Sequence, residues 1–275
     1  GDSLADSGTF GLKFTVQGTA PTGAGSTAIW PERVAASYGR TLCPHYVSAG
    51  GSFSAKADCT NYAVGGGRIN NFTAPTSPVS ILQQLKDAGA AGYATGDLVL
   101  IDGGGNDAAD LIGAYLGASR DGGKAYAALL GTVLDAATVN SLLAGGATGM
   151  AQAGGAYMQA LATQFAATIK AQTLDKGATR VAVLNMPGVT LTPKFRMVLA
   201  SISAANGAAA AAQAQTLFDG WVRAFNAKLA AALAGDGRLT VVDFYASFKD
   251  QAEHPAQYAY TNVTTPACPA TGVGS

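Results

Sequence analysis

The chain of 275 residues is 48% hydrophobic and only 12% charged, which is enough apolar material for one α/β domain with a large core. Its 17 Lys and Arg residues balance 17 Asp and Glu residues and form no basic cluster, which argues against a nucleic-acid partner. No apolar run reaches about 18 residues, so no transmembrane helix is predicted. The charged fraction is below the roughly 25% of ordinary soluble domains, which favours an exported protein.

The first ten residues, GDSLADSGTF, are rich in small polar side chains. Asp and Ser side chains hydrogen-bond nearby backbone, so one interpretation is an ordinary surface turn, with Asp2 and Asp6 holding it. The other interpretation is an activated serine at position 3. That interpretation requires further residues elsewhere in the chain.

Three cysteines occur, at positions 43, 59 and 268. A disulfide between Cys43 and Cys59 would close a loop of about 15 residues that is rich in Gly and Ser. Cys268 then remains as a free thiol or pairs with a cysteine elsewhere. A metal site is the weaker interpretation, because no C-x-x-C motif occurs and the only histidines are His45 and His254.

Apolar runs without strict alternation predict buried parallel strands, and they occur in residues 97–107, 179–188 and 239–246. Helices are predicted at residues 79–89, 149–173 and 208–234. In the last helix an apolar residue recurs every four positions and forms one stripe, at Trp221, Phe225, Leu229 and Leu233. The Gly- and Ala-rich residues 114–150 are expected to form loops and short helices near the strand tips.

Strands that alternate with long helices indicate a parallel sheet with helices on both faces. Ligands of such sheets bind outside the carboxyl ends of the strands. The rule directs attention to residues 102–107, to residues 185–188 and to the residues after Asp243.

Three short blocks lie along the chain in a fixed order: GDSLADSG at residues 1–8, NYAVGGGRI at 61–69 and GGGND at 103–107. In this order and spacing they resemble the GDSL-type SGNH hydrolases, a family of esterases and lipases. The segments NMPGVTLTP and YAYTNVTTPAC are similar to the bacterial branch that includes autotransporter esterases and secreted lipases. The resemblance covers nearly the whole chain.

The resemblance implies a flavodoxin-like αβα sandwich with a central parallel sheet, the SGNH hydrolase fold. It implies Ser3 as nucleophile and as one backbone donor to the oxyanion. Gly66 is the implied second donor, with Gly65 as the alternative register, and the Asn106 amide is the third. The alternative is a purely structural role for these residues: a tight turn at the glycines, and a helix N-cap at Asn106 or Asp107.

The chemistry explains these residue types. Attack by Ser3 on an ester carbonyl places negative charge on the former carbonyl oxygen, and preorganised N–H donors stabilise that charge. Glycine at position 66 allows close approach of the backbone because it has no Cβ. Asn106 supplies an uncharged NH₂ donor.

A serine nucleophile also needs a base, usually a histidine oriented by a carboxylate. The family has a D-x-x-H block near its C-terminus, and these 275 residues contain none. The nearest match is DQAEHP, in which three residues, and not two, separate Asp250 from His254. Glu253 directly precedes the histidine. His254 is therefore either the base or a surface helix residue.

We expect a single domain over residues 1–275 that is incomplete at both ends. The resemblance implies a first strand before Gly1, absent from this chain, and a base in a block after Ser275. The expected function is hydrolysis of small-molecule or lipid carboxylic esters through an acyl-enzyme. The alternatives are acyl transfer to another alcohol and a catalytically silent binding or passenger domain. No cofactor or metal is expected. We expect secretion, or a periplasmic or outer-membrane location, with membrane association through a further C-terminal region.

Overall fold

The computed structural model describes residues 1–16 and 27–266. Contacts group the chain into two compact units. Unit 1 contains Gly1–Asn106, Phe165–Leu184 and Leu233–Val241, and unit 2 contains Asp107–Gln164, Asn185–Ala232 and Val242–Ser275. The expectation of one domain stays a prediction. Cys268 lies outside the described residues.

The described helices and strands follow one another along the chain, and a long connection, residues 56–80, separates β2 from α2. In chain order they are α1 (Trp30–Ser37), β1 (Tyr46–Ala49), β2 (Ser52–Ala55), α2 (Ile81–Ala91), β3 (Val99–Ile101), α3 (Gly105–Asp121), α4 (Lys124–Leu130), α5 (Ala136–Leu143), α6 (Gly146–Gln172), β4 (Val181–Leu184), α7 (Pro193–Asn206), α8 (Ala208–Leu233), β5 (Leu239–Val242) and α9 (Phe244–Glu253). None of these helices is long and apolar enough to cross a membrane.

The three predicted strand runs form one sheet in the order β3-β4-β5. β3 pairs with β4 in parallel, with Val99 opposite Val181. β4 also runs parallel to β5, because the Val181 N–H donates to the Arg238 carbonyl and, four residues further along both strands, the Asn185 N–H donates to Val242. The prediction of a parallel sheet is confirmed for the described strands.

A hairpin in unit 1 was not predicted. β1 and β2 are antiparallel, with Tyr46 opposite Ala55, and they lie inside the loop that the Cys43–Cys59 disulfide closes. The two sulfurs are 2.03 Å apart. The sequence YVSAGGSFSA contains a Gly-Gly pair at the turn, where Gly50 and Gly51 both have positive φ angles, as hairpin turns require.

Unit 2 is helical around a cluster of aromatic rings. The predicted stripe of α8 is buried along its length. Trp221 is fixed by a hydrogen bond from its Nε1 to the Ala151 carbonyl at 2.9 Å, and its ring packs where a Cβ on Gly154 would lie. Residues 114–150 contain the end of α3, the short helices α4 and α5, and the start of α6, so the expected short helices are present and the loops between them are brief.

Candidate functional site

The first block folds into a turn around Ser3. The Leu4 N–H donates to Asp2 Oδ1 at 2.9 Å, and the N–H groups of Ala5 and Asp6 donate to the Asp2 carbonyl at 3.1 and 3.0 Å. Asp2 and Asp6 are buried, whereas Ser3 is half-buried. The turn therefore leaves the serine partly accessible at the surface of unit 1.

The Asp6 carboxylate joins the first block to the second. Its Oδ1 accepts the N–H groups of Gly8 and Thr9 at 2.9 and 2.8 Å, and its Oδ2 accepts the Gly65 N–H at 2.7 Å. Hydrogen bonds to a charged acceptor are stronger than neutral ones, so this buried carboxylate is a firm link between segments 59 residues apart.

The backbones of the first two blocks also touch directly. The Val64 N–H donates to the Gly1 carbonyl at 3.3 Å. A Cβ on Gly67 would lie 2.7 Å from the Gly1 carbonyl oxygen and 3.2 Å from the Asp2 Cα. Glycine at 67 is therefore required for this approach, and it brings the second block against the residue that precedes Ser3.

The third block contacts the second block at Gly67. It follows β3 and leads into α3, which begins at Gly105, so Asn106 lies inside the first turn of the helix and not at its N-cap. The Asn106 Nδ2 donates to the Gly67 carbonyl at 3.0 Å. All three blocks are thus linked by hydrogen bonds within unit 1.

Several donors at this junction are not used internally. Among the described residues, the Ser3 N–H and hydroxyl and the Gly66 N–H have no hydrogen-bond partner. The Gly65 N–H is occupied by Asp6. Gly66 has a φ of +78°, a conformation that favours glycine, and it is half-buried. These observations favour Gly66 over Gly65 in the register that the repeated glycines left open.

A buried cluster of ionisable groups lies behind Ser3. Burial, together with the neighbouring Asp102 carboxylate, raises the pKa of Asp2 to about 7. Asp102 is buried, and its Oδ2 has no hydrogen-bond partner among the described residues. The Gly1 ammonium donates to Gln84 Oε1 at 2.6 Å. Sequence reasoning pointed to the stretch around Asp102 but missed Gln84, for which no local signal exists.

The two histidines lie in different units. His254, in unit 2, ends α9, is half exposed, and has its Nδ1 2.9 Å from Asp250 Oδ1, while Asp250 also accepts the Tyr258 hydroxyl. His45, in unit 1, has its Nδ1 2.9 Å from the Cys59 carbonyl and stacks on Tyr62 with ring centroids 4.2 Å apart. The role of His254 as base stays a prediction. No group of three His, Cys, Asp or Glu side chains in residues 1–16 and 27–266 could hold a metal ion.

In this α/β chain a serine turn, a glycine turn and the first turn of α3 are joined by hydrogen bonds. The family model described as GDSL-like Lipase/Acylhydrolase matches residues 1–269, and the chain belongs to this family. Membership implies the SGNH α/β fold, with which the parallel sheet agrees, and hydrolase activity in general. No curated protein and no solved structure matches the chain.

Proposed function

We propose that this protein is a carboxylic ester hydrolase in which Ser3 is the nucleophile. The observation that supports the proposal is the hydrogen bonding among the three blocks, in which the Gly65 N–H donates to Asp6 and the Asn106 amide donates to the Gly67 carbonyl. The substrates are small-molecule or lipid esters, and the protein acts after export from a bacterial cell.

The reaction proceeds in two steps. The Ser3 Oγ attacks the ester carbonyl carbon while a base takes the hydroxyl proton, and the carbonyl oxygen becomes an oxyanion. The N–H groups of Ser3 and Gly66 and the second N–H of the Asn106 amide stabilise that oxyanion. The alcohol leaves with a proton, and water then attacks the acyl-enzyme to release the acid and restore Ser3.

The direct test is hydrolysis of p-nitrophenyl acetate by the chain and by Ser3→Ala. Removal of the nucleophile should lower kcat by at least about 1000-fold, towards the rate without enzyme. Ser7→Ala is the matched control. Ser7 lies in the same block but is buried, and its Oγ accepts the Asn61 amide at 2.9 Å, so its loss affects folding and not chemistry.

A second readout does not depend on turnover. A fluorophosphonate ester should form one covalent adduct on Ser3, which mass spectrometry of peptides locates. Ser3→Ala should form none. Full hydrolytic activity in the Ser3→Ala variant would exclude Ser3 as the nucleophile.

The identity of the base is tested separately. If His254 is the base, His254→Ala lowers kcat about as far as Ser3→Ala does, and Asp250→Asn lowers it less, because Asp250 only orients the ring. His45→Ala serves as the control at the other histidine. An unchanged rate in His254→Ala excludes His254.

The second candidate function is a binding domain that keeps the fold without turnover. The observation in its favour is that the 275 residues contain no D-x-x-H block. Neither hydrolysis nor labelling of Ser3 would then occur, and ester analogues would still protect the chain against thermal unfolding.

A further inference from the structure

Unit 1 contains a cluster of three phenylalanine rings, those of Phe10, Phe14 and Phe53. Phe10 lies between the other two: its ring centroid is 5.9 Å from that of Phe14 and 6.0 Å from that of Phe53, and both pairs meet edge to face. Such pairs attract each other beyond the effect of the area they bury. Phe14 and Phe53 are half-buried, whereas Phe10 is 39% exposed. The cluster therefore presents apolar surface to solvent.

The cluster adjoins the glycine turn of the candidate site. Three carbon atoms of the Phe14 ring lie within 2.9 Å of the position that a Cβ on Gly65 would take, so the ring packs on the Gly65 backbone. The next residue is Gly66, whose N–H is a proposed oxyanion donor. Consecutive Cα atoms are about 3.8 Å apart. An ester carbonyl held at Gly66 is therefore within the length of a short alkyl chain of the Phe14 ring.

Backbone hydrogen bonds hold the cluster against the first block. The Thr9 N–H donates to Asp6 Oδ1, and the Thr9 carbonyl accepts the Ser48 N–H of β1 at 2.8 Å. Ser48 is paired with Phe53 in the β1–β2 hairpin. The residue before Phe10 is thus bound both to the carboxylate that joins the first two blocks and to the strand pair that carries the third ring. A ligand of the cluster does not have to order these elements on binding.

The surface of the cluster is suited to an uncharged ligand. Segments 10–14 and 46–55, which carry the three rings, contain Lys13 as their one charged side chain. Lys13 is buried, and its Nζ lies 2.8 Å from Glu32 Oε2 and 3.0 Å from the Thr27 carbonyl. The ammonium group is therefore paired inside the fold and not presented beside the rings. Apolar walls of this kind bind the apolar part of a small molecule.

We propose that the cluster of Phe10, Phe14 and Phe53 binds the alkyl chain of the ester and so determines substrate specificity. The inference rests on the proposed function, because the chain is placed by an ester carbonyl held at Gly66. The alkyl chain runs over the Phe14 ring and ends on the exposed ring of Phe10. Each methylene group that leaves water on these rings favours binding, so octyl and octanoyl esters are preferred to their short counterparts.

The experiment compares p-nitrophenyl octanoate with p-nitrophenyl acetate, and octyl acetate with ethyl acetate. Within each pair only the alkyl chain on one side of the ester changes. In Phe10→Ala the ratio of kcat/KM for the long ester to kcat/KM for the short ester should fall at least about tenfold, because several methylene groups lose their apolar contact. A fall in the first pair places the chain on the acyl side, and a fall in the second pair places it on the alcohol side. Either result supports the proposal.

Two further variants separate apolar contact from a general effect of substitution. Phe10→Leu keeps an apolar side chain and should retain most of the preference for the long ester. Tyr38→Ala removes an exposed aromatic ring at the end of α1, outside the cluster, and should leave the ratio as it is. An unchanged ratio in Phe10→Ala for both pairs, or an equal fall in Tyr38→Ala, would overturn the proposal and leave the proposed function standing.

A second readout needs no turnover. Methyl octyl ketone has a carbonyl group that cannot be hydrolysed, and acetone is its short counterpart. In the Ser3→Ala chain, methyl octyl ketone should raise the thermal unfolding midpoint more than acetone does, and adding Phe10→Ala should remove the difference. This result without ester hydrolysis would reject the esterase activity and keep the cluster as an alkyl site. Equal midpoints with the two ketones would reject the cluster.

Discussion

Asn106 lies where the second and third blocks meet, and only one of its two amide hydrogens is accounted for by Gly67. The other is available for a developing oxyanion. Asn106→Ala should therefore lower kcat for p-nitrophenyl acetate by about 100 to 1000-fold with little change in KM. Steady-state kinetics measures both constants.

A purely structural role would act differently. If Asn106 only stabilised the fold through its bond to Gly67, Asn106→Ala would lower the thermal unfolding midpoint without a specific fall in kcat. Asn71→Ala is the control, since Asn71 lies outside the three blocks and its side-chain oxygen accepts the Thr73 hydroxyl. Equal effects of the two variants on kcat would contradict a transition-state role for Asn106.

The Asp2 carboxyl gives stability a dependence on pH. Its pKa rises from an ordinary 3.8 to about 7 on folding, through burial and the Asp102 charge, so the folded chain binds its proton more tightly than the unfolded chain. This contribution is fully present below about pH 4 and is lost as the pH rises through 7.

Asp2→Asn should therefore flatten the fall in the free energy of unfolding between pH 4.5 and 8, measured by urea denaturation. The expected difference is on the order of a few kcal/mol across that range. The asparagine Oδ1 still accepts the Leu4 N–H, so the turn is kept. Asp97→Asn, at an exposed carboxylate, should leave the slope as it is. If the free energy of unfolding of Asp2→Asn falls with pH as steeply as that of the unchanged chain, Asp2 is not the group responsible for the pH dependence.

Among the elements, α6 and α8 have a close contact at Gly154. A Cβ there would lie 2.2 Å from the Trp221 ring, and the ring is held by Ala151. Gly154→Ala should lower the free energy of unfolding by about 1–3 kcal/mol through overpacking, despite the better helix propensity of alanine.

The adjacent glycine provides the matched control. A Cβ on Gly155 would meet Trp221 only at 3.9 Å, an ordinary contact. Gly155→Ala should therefore stabilise the chain by about 0.5–1 kcal/mol, the usual gain over glycine within a helix. Thermal unfolding followed by circular dichroism distinguishes the two variants, and the same sign for both would contradict the packing argument.

The elements that the sequence predicted are those with a strong local pattern. β3, β4 and β5 are short apolar runs, and α8 has its regular stripe. The run 239–246 was extended too far, because Asp243 caps α9 by accepting the Ala246 N–H. The β1–β2 hairpin was missed because its alternating residues are small and resemble a Gly- and Ser-rich loop.

The residues of the candidate site could be predicted from the sequence, but the hydrogen bonds that join them could not. Ser3, Gly66 and Asn106 came from the three blocks. The bond from Gly65 to Asp6, which favours one glycine register, joins residues far apart in sequence and follows no local rule. The Gly1 contact with Gln84 is of the same kind.

For the molecule as a whole, the disulfide is the strongest single constraint on the unfolded chain. Cys43 and Cys59 are separated by 16 residues, so removal of the bond should cost about 3 kcal/mol. The double variant Cys43→Ala with Cys59→Ala should unfold at lower urea and should no longer respond to dithiothreitol. Cys268→Ala should keep the full response, and loss of the response in that variant would contradict the assignment.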